Sequence, residues 1–334
     1  MLVAALLAGC GGGDETETVE PVTTTTAQKP PPPPPEILVT LDGYMGPQNA
    51  GLLVAEEKGY FDELGLNVSL RAPVEPRRPV TYVADRTDEI GVVQMPQAVL
   101  AREKGAPVVA VGSVVPRPTA AIIWLPESGI QSIADLRGKT IATPGIPYQE
   151  EFLQTVLERA GLKPEDVKIK HVRFNLVPAL LHGRADAIYG GSWNLQGAAL
   201  ESLGAEPVIT RLQSLGIPAY EELVVLVRTD TLAEEPEMVR DFMSAAVRGT
   251  RFAMGHPKAA AKAIEDGLEP NPKSTRKEIE AELTATLPLL SKSGHMDPAQ
   301  TTALVDWMQK QGQIERRISA ADLLTNEYLP QPGG

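Results

Sequence analysis

The chain has 334 residues, is 43% hydrophobic and carries a net charge of −12. The length predicts two compact units, and the acidic balance argues against nucleic acid as a partner, because binding phosphate needs clustered Lys and Arg. A single cysteine, Cys10, excludes an internal disulfide and any cysteine-based zinc or iron–sulfur site. His171, His182, His256 and His295 are too far apart in sequence to pair as metal ligands and read as isolated surface or core residues, so neither a metal nor a cofactor is expected.

The chain opens on an uninterrupted apolar or small run, Met1 to Gly9, closed by Leu7-Ala8-Gly9-Cys10. That tetrad resembles the lipobox of bacterial lipoproteins, in which the cysteine is diacylated and becomes the mature N-terminus. The resemblance implies an extracytoplasmic protein anchored by lipid at Cys10, with lipid as its only hold on the membrane. Residues 11–36 are rich in Gly, Thr, Glu and Pro and end in the prolines Pro30 to Pro35. Such a segment cannot bury a core, and its proline run favours extended polyproline II; it reads as a disordered tether. Five carboxylates against Lys29 give this tail −4 and leave −8 for the body.

From Ile37 short β runs alternate with amphipathic helical stretches. Strands are predicted at 37–41, 66–70, 90–93 and 108–115, with helices at 50–60, 79–84 and 96–104 between them. A second set follows: strands at 120–125, 139–142, 167–172, 185–189 and 207–210, and helices at 149–160, 177–182 and 193–203. Ser132 and Asp135 form a capping box that opens a short helix before Gly138. One more strand, 223–227, precedes a helical return in which Val239, Phe242, Met243, Ala246 and Val247 follow helical spacing and Asp297-Pro298 opens another helix. The alternation predicts an α/β fold of parallel sheets with crossover helices.

No nucleophile elbow, Walker loop or zinc-protease motif is present, and no catalytic residue is nominated. Four segments read as binding elements. Thr143-Pro144-Gly145-Ile146-Pro147 joins a strand to a helix; it presents free backbone N–H groups to a polar ligand, or is an ordinary βα turn. Gly190-Gly191-Ser192-Trp193-Asn194 follows an apolar strand. Its glycines allow close backbone approach, Trp193 offers a stacking face or a packing one, and Asn194 offers both a donor and an acceptor. Pro218-Ala219-Tyr220-Glu221-Glu222 precedes the last strand. Glu222, against the apolar run, suits an acceptor for an amino-heterocycle, whereas Glu221 reads equally well as a solvated acidic turn. Leu41 to Asn49, a strand end feeding a helix, is the fourth.

Several of these segments, taken in order, resemble the substrate-binding proteins of ABC importers, in the branch that binds pyrimidine precursors of thiamine. The residues that carry the resemblance are Asn49 to Phe61, Ser128-Gly129-Ile130 with Asp135 to Lys139, Gly145-Ile146-Pro147, Phe174 to Leu180 and Gly190 to Asn194. The resemblance implies a type II periplasmic-binding-protein fold: two α/β lobes around a ligand cleft with a hinge, lobe 1 from residues 37–118 and 224–330 and lobe 2 from 119–223. It implies a monomer that captures a small molecule and docks on an ABC permease with its ATPase. Tyr44 and Trp193 would then sandwich a pyrimidine, while Glu222 and the segment Pro144, Gly145, Ile146 and Tyr148 hold its polar groups. Asn49 and Asn175 fall at motif positions, and Gln94, Gly191, Asn194 and Tyr220 complete the expected ligand set. The chain departs from the branch in having Tyr44 for a tryptophan, Asn49 for a histidine, Gln94 for a tyrosine and Ser192 for a tyrosine. Riboflavin and sulfonate receptors are the alternatives. A related branch of enzymes makes the thiamine pyrimidine from its own histidine, with bound pyridoxal phosphate and a cysteine-rich motif that the body of this chain lacks.

Overall fold

The computed structural model describes residues 34–43, 45–73, 78–268 and 274–331. Cys10 with its lipobox, tether residues 11–33 and Tyr44 lie outside them. The body begins with β1 (Glu36–Thr40), α1 (Ala50–Glu57), β2 (Asn67–Arg71), α2 (Arg78–Ala84), β3 (Ile90–Val93), α3 (Met95–Glu103) and β4 (Val108–Val115). The middle of the chain adds β5 (Ala120–Trp124), β6 (Thr140–Thr143), α4 (Pro147–Arg159), β7 (Lys168–His171), α5 (Leu176–Leu181), β8 (Ala187–Ser192), α6 (Ala198–Ser202) and β9 (Val208–Arg211). Then come β10 (Leu223–Arg228), α7 (Thr231–Glu234), α8 (Pro236–Gly255), α9 (Pro257–Leu268), α10 (Arg276–Thr286), α11 (Pro298–Lys310) and α12 (Ala320–Leu323).

The strands form two five-stranded sheets, ordered β2-β1-β3-β10-β4 and β7-β6-β8-β5-β9. With their helices they make a first and a second lobe within one compact unit, Pro34–Gly334. β3, β5 and most of β10 are buried on both faces, which is why they read as continuous apolar runs. At the edge of the second sheet, β7 is Lys-Ile-Lys-His and all four residues are exposed; its lysines guard the outer edge. The sheets are mixed rather than parallel as expected. β10 runs antiparallel to β3 and β4, and β5 antiparallel to β8 and β9. Each of these two strands enters its sheet from the other lobe without a crossover helix, so nothing forces it parallel to its neighbours.

Local differences from expectation also have physical causes. β1 starts at Glu36, the last residue assigned to the tether, because it pairs with Asn67 of β2. Ser132 and Asp135 do form a capping box, with the Ser132 N–H donating to Asp135 Oδ2 at 2.8 Å, but it caps a single 3₁₀ turn, Ile133–Leu136. The helix expected over 193–203 splits into a π-turn, Trp193–Gly197, and the short α6.

The helical return packs on the first lobe. α8 and α9 lie against α1, and Leu324 bridges to Ala110 of β4. The α1–α8 crossing is so close that a Cβ on Gly249 would sit 2.1 Å from the Gly51 carbonyl oxygen, so both positions require glycine. α11 behaves differently: its Leu304, Val305 and Met308 join one apolar cluster that contains Val83 and Met95 of the first lobe and Phe152 and Trp124 of the second. No helix among the described residues is long and apolar enough to cross a membrane.

In the first sheet, Thr40 and Arg71 both donate to the buried Asp88 carboxylate, and Arg71 Nε donates to Thr40 Oγ1 at 2.9 Å. This knot ties β1 and β2 to the turn before β3. Asp88→Ala leaves both donors without an acceptor and is expected to destabilise the fold by about 2–4 kcal/mol, read as a lowered urea midpoint at unchanged slope.

Candidate functional site

Open α/β sheets gather ligands at the carboxyl ends of their strands, and here those ends converge. The end of β1 supplies Asp42, followed by the turn Pro47–Asn49; the end of β3 supplies Gln94. From the second lobe, the β6 end feeds the first turn of α4 with Tyr148 and Gln149, and β8 contributes Tyr189 and Gly190. The return crossing between the lobes supplies Tyr220 and Glu222.

The polar groups make three separate sets of hydrogen bonds. Gln94 Nε2 donates to Asp42 Oδ2 at 3.3 Å, and Gln48 Nε2 donates to the Asp42 carbonyl at 3.3 Å. The Thr119 N–H donates to Glu222 Oε2 at 2.6 Å. Gln149 Nε2 donates to the Tyr148 hydroxyl at 3.4 Å. Beyond these bonds, Oε1 of Gln48, Gln94 and Gln149 and the hydroxyls of Tyr189 and Tyr220 are buried without a partner among the described residues. Each such orphan costs about 1–3 kcal/mol, and these five, on residues of or next to the group around Asp42 and Glu222, mark it as a candidate site. Apolar rings wall the group: Phe152 meets Tyr148 edge-on at 5.2 Å, Tyr220 at 6.2 Å and Trp307 at 4.8 Å between centroids.

Burial, and then the charge of Glu222, pushes the Asp42 carboxyl up to about 7. Burial likewise pushes Glu222 up to about 7, against the opposing pull of the Thr119 and Ala120 N–H groups. The Tyr148, Tyr189 and Tyr220 phenols are held well above their ordinary range by burial and by Glu222. At neutral pH the cleft therefore offers two carboxylates poised between charge states as acceptors, and neutral phenols and amides as donors or acceptors.

Of the residues nominated from sequence, Gln94, Tyr148, Tyr220 and Glu222 come together here, with Asn49 buried at the end of its turn. Pro144 borders Gly190. Ile146 is buried at the head of α4, in the apolar core. Tyr44 lies outside the described residues. The rest have partners or surroundings of their own. The Gly145 N–H is turned onto Thr143 Oγ1 at 3.3 Å, and His171 covers the residue's open side. Asn175 is exposed at the head of α5, its Nδ2 bonded to the Val172 carbonyl in a local turn. Gly191 faces away because β8 bulges: Ala121 pairs with Gly191 but Ile122 with Tyr189, leaving Gly190 as the extra residue at φ 78°. A Cβ on Gly190 would meet Gln149 Oε1 at 2.2 Å, whereas one on Gly191 would meet Leu176. Trp193 is half-buried, with the Arg211 guanidinium 3.9 Å from its ring centroid. Asn194 Nδ2 is spent on Thr286 Oγ1 at 2.8 Å. Glu221, read equally as a solvated turn, is buried and accepts from Ser113 Oγ at 2.6 Å and the Asp297 N–H at 3.1 Å.

Asp42 and Gln48 fall inside the fourth nominated segment, Leu41 to Asn49, without being singled out there; Gln149 and Tyr189 are nominated nowhere. Asp42 and Tyr189 sit at strand ends, a signal available from the pattern. Gln48 and Gln149 carry no local signal.

The model of a family described as NMT1/THI5 like matches residues 46–260. The chain belongs to that family. A formylaminopyrimidine-binding protein of Halalkalibacterium halodurans is 30% identical over 295 residues, 86% of this chain and 89% of that protein. A family relative from Legionella pneumophila, 4-amino-5-hydroxymethyl-2-methylpyrimidine phosphate synthase, is 25% identical over 297 residues, 88% of this chain and 92% of that one. Among solved structures, the alkanesulfonate-binding protein SsuA of Xanthomonas axonopodis pv. citri, bound to MOPS, superposes with a TM-score of 0.68 at 17% identity, covering 87% of this chain and 98% of that one. At that identity the likeness speaks for the fold, which is the periplasmic-binding-protein fold.

The raised carboxyls set a sign for stability. Both bind protons more tightly folded than unfolded, so their contribution is fully present below pH about 4 and is lost as pH rises through about 7. Urea midpoints of the unliganded chain are expected to fall from pH 5 to pH 8, and Asp42→Asn to flatten that slope.

Proposed function

We propose that this protein is an extracytoplasmic receptor of an ABC importer that captures an aminopyrimidine precursor of thiamine. The observation that carries the reading is the buried group of unpartnered donors and acceptors around Asp42 and Glu222. An aminopyrimidine is flat, has amino N–H donors for carboxylates and has ring nitrogens that accept from phenols or amides. The name of the Halalkalibacterium relative supports the same class. In this reading Asp42 and Glu222 accept from the amino group, Gln94, Gln149, Tyr189 and Tyr220 complete the polar ring, and Tyr148 forms a wall. Tyr44 and Trp193 are the stacking candidates, Trp193 through the ring face opposite Arg211.

The lobes, residues 37–118 with 224–330 and residues 119–223, close on the ligand about the two crossings, and the closed monomer docks on a permease with its ATPase. Lipid on Cys10 anchors it. Two buried carboxylates oppose a sulfonate, whose charge they would repel. The named activity of the Legionella relative favours a second reading, a pyrimidine synthase that consumes its own histidine. Against it stands the lack, in the body of the chain, of the cysteine-rich motif of that branch, and intact-mass spectra that keep all four histidines with no turnover would end it.

Calorimetry against hydroxymethylpyrimidine, formylaminopyrimidine, riboflavin and an alkanesulfonate separates the classes. The pyrimidines are expected to bind tightest, with affinity falling below pH 7 as the carboxyls protonate; tight flavin or sulfonate binding with no pyrimidine binding sinks the reading. Glu222→Gln is expected to weaken pyrimidine binding about 10- to 100-fold, the size of a hydrogen bond to a charged group.

A further inference from the structure

A contact between the lobes, separate from the core at α11, is made by α10. On its first-lobe side this helix packs on α9 and on the turn Pro47–Asn49, with Ile279 and Leu283 in the first-lobe core. On the other side it meets α6 and the π-turn Trp193–Gly197 of the second lobe. At its last residue, Thr286 Oγ1 accepts from Asn194 Nδ2 at 2.8 Å across 92 positions of sequence. Both side chains are buried, Thr286 at 0% and Asn194 at 2% exposure. The remaining Asn194 oxygen, Oδ1, is buried without a partner among the described residues. Removing the Thr286 hydroxyl would leave that whole amide unsatisfied.

The π-turn ties this bond to the ligand group. Turns of this width are rare and concentrate at functional sites. Here the Ser192 N–H donates to Gln196 Oε1 at 2.7 Å and steadies the turn. The next residue, Trp193, donates its N–H to the Thr119 carbonyl at 3.0 Å, and the Thr119 N–H is the donor that holds Glu222 at 2.6 Å. A continuous path of hydrogen bonds and backbone thus runs from Thr286 through Asn194, Trp193 and Thr119 to Glu222.

We propose that Thr286 is a positioning residue for ligand capture: its bond to Asn194 latches the second lobe onto α10 in the arrangement where Asp42 and Glu222 face one ligand. The proposal rests on the receptor reading above. A latch of this kind slows escape without altering encounter, so its loss appears in the dissociation rate.

Thr286→Val keeps the shape and removes the hydroxyl; Thr286→Ser restores it. With formylaminopyrimidine as the probe, the valine variant is expected to release ligand about 5- to 10-fold faster, with association unchanged within about twofold, and the serine variant to recover the wild-type rate. The unliganded melting temperature of the valine variant is expected to fall modestly, because the buried Asn194 amide loses its partner, and to recover in the serine variant; the release rate is the readout that separates a latch from a merely structural bond. Unchanged release in Thr286→Val, failure of serine to restore it, or a lowered unliganded melting temperature at unchanged affinity overturns the latch. If the wild type binds no pyrimidine, the receptor reading fails on its own. The latch is then tested in the full chain with Cys10→Ser, by spin labels at Leu64→Cys and Leu203→Cys, exposed positions on the first and second lobes. A longer or broader interlobe distance in Thr286→Val supports it, and identical distributions overturn it.

Discussion

Two adjacent carboxylates are buried where the chain crosses back between the lobes, and the rest of the site follows from how they are separated. Glu221 is fixed on one side of the backbone by Ser113 and by the first N–H of the α11 cap, at 2.6 and 3.1 Å. Because successive residues of an extended chain point to opposite faces, that anchoring commits Glu222 to the other side, toward Thr119 and the tyrosines. The outward crossing, between β4 and β5, is held in turn by Gln213 on the Pro118 carbonyl and by Gln300 on the Pro116 carbonyl, so both connections between the lobes are pinned. Glu222 is thus placed by a neighbour whose own carboxylate is spent on the protein.

What the sequence could reveal stops where side chains depend on distant partners. Glu222 and Tyr148 were readable because a polar residue beside a buried strand or opening a helix has few other uses, and β3, β5 and β10 were readable because apolar runs bounded by Gly, Pro and Asp have one interpretation. Gly191 was not, because a bulge at Gly190 reverses the alternation that any pattern assumes. Asn175 looked like a ligand residue and is a turn residue, since Asx side chains satisfy local carbonyls as readily as ligands. Asn194 is committed to a partner 92 residues away, which no local window contains. The expectation of parallel sheets failed at β5 and β10, the two strands whose direction is set by interlobe crossings.

The electrostatics of the cleft run against those of the surface. The chain is strongly acidic, yet the two carboxyls that matter most are those least able to hold their charge. Asp42 and Glu222 are both buried, and the charge of Glu222 is felt at Asp42, with few N–H donors to offset the loss of water. A partner that brings N–H groups relieves the desolvation that water no longer offsets, so the same burial that weakens the empty site strengthens the filled one.

The apolar cluster under α11, with Trp307 against Phe152, runs through both lobes without a gap. The two halves thus share one apolar core, beside a further core in each lobe. Heat or denaturant is expected to disrupt both lobes together, with calorimetric and van't Hoff enthalpies in agreement and a defect in either lobe lowering the common midpoint. By the same linkage a ligand held at the cleft is expected to protect residues far from it, because the two lobes share that core.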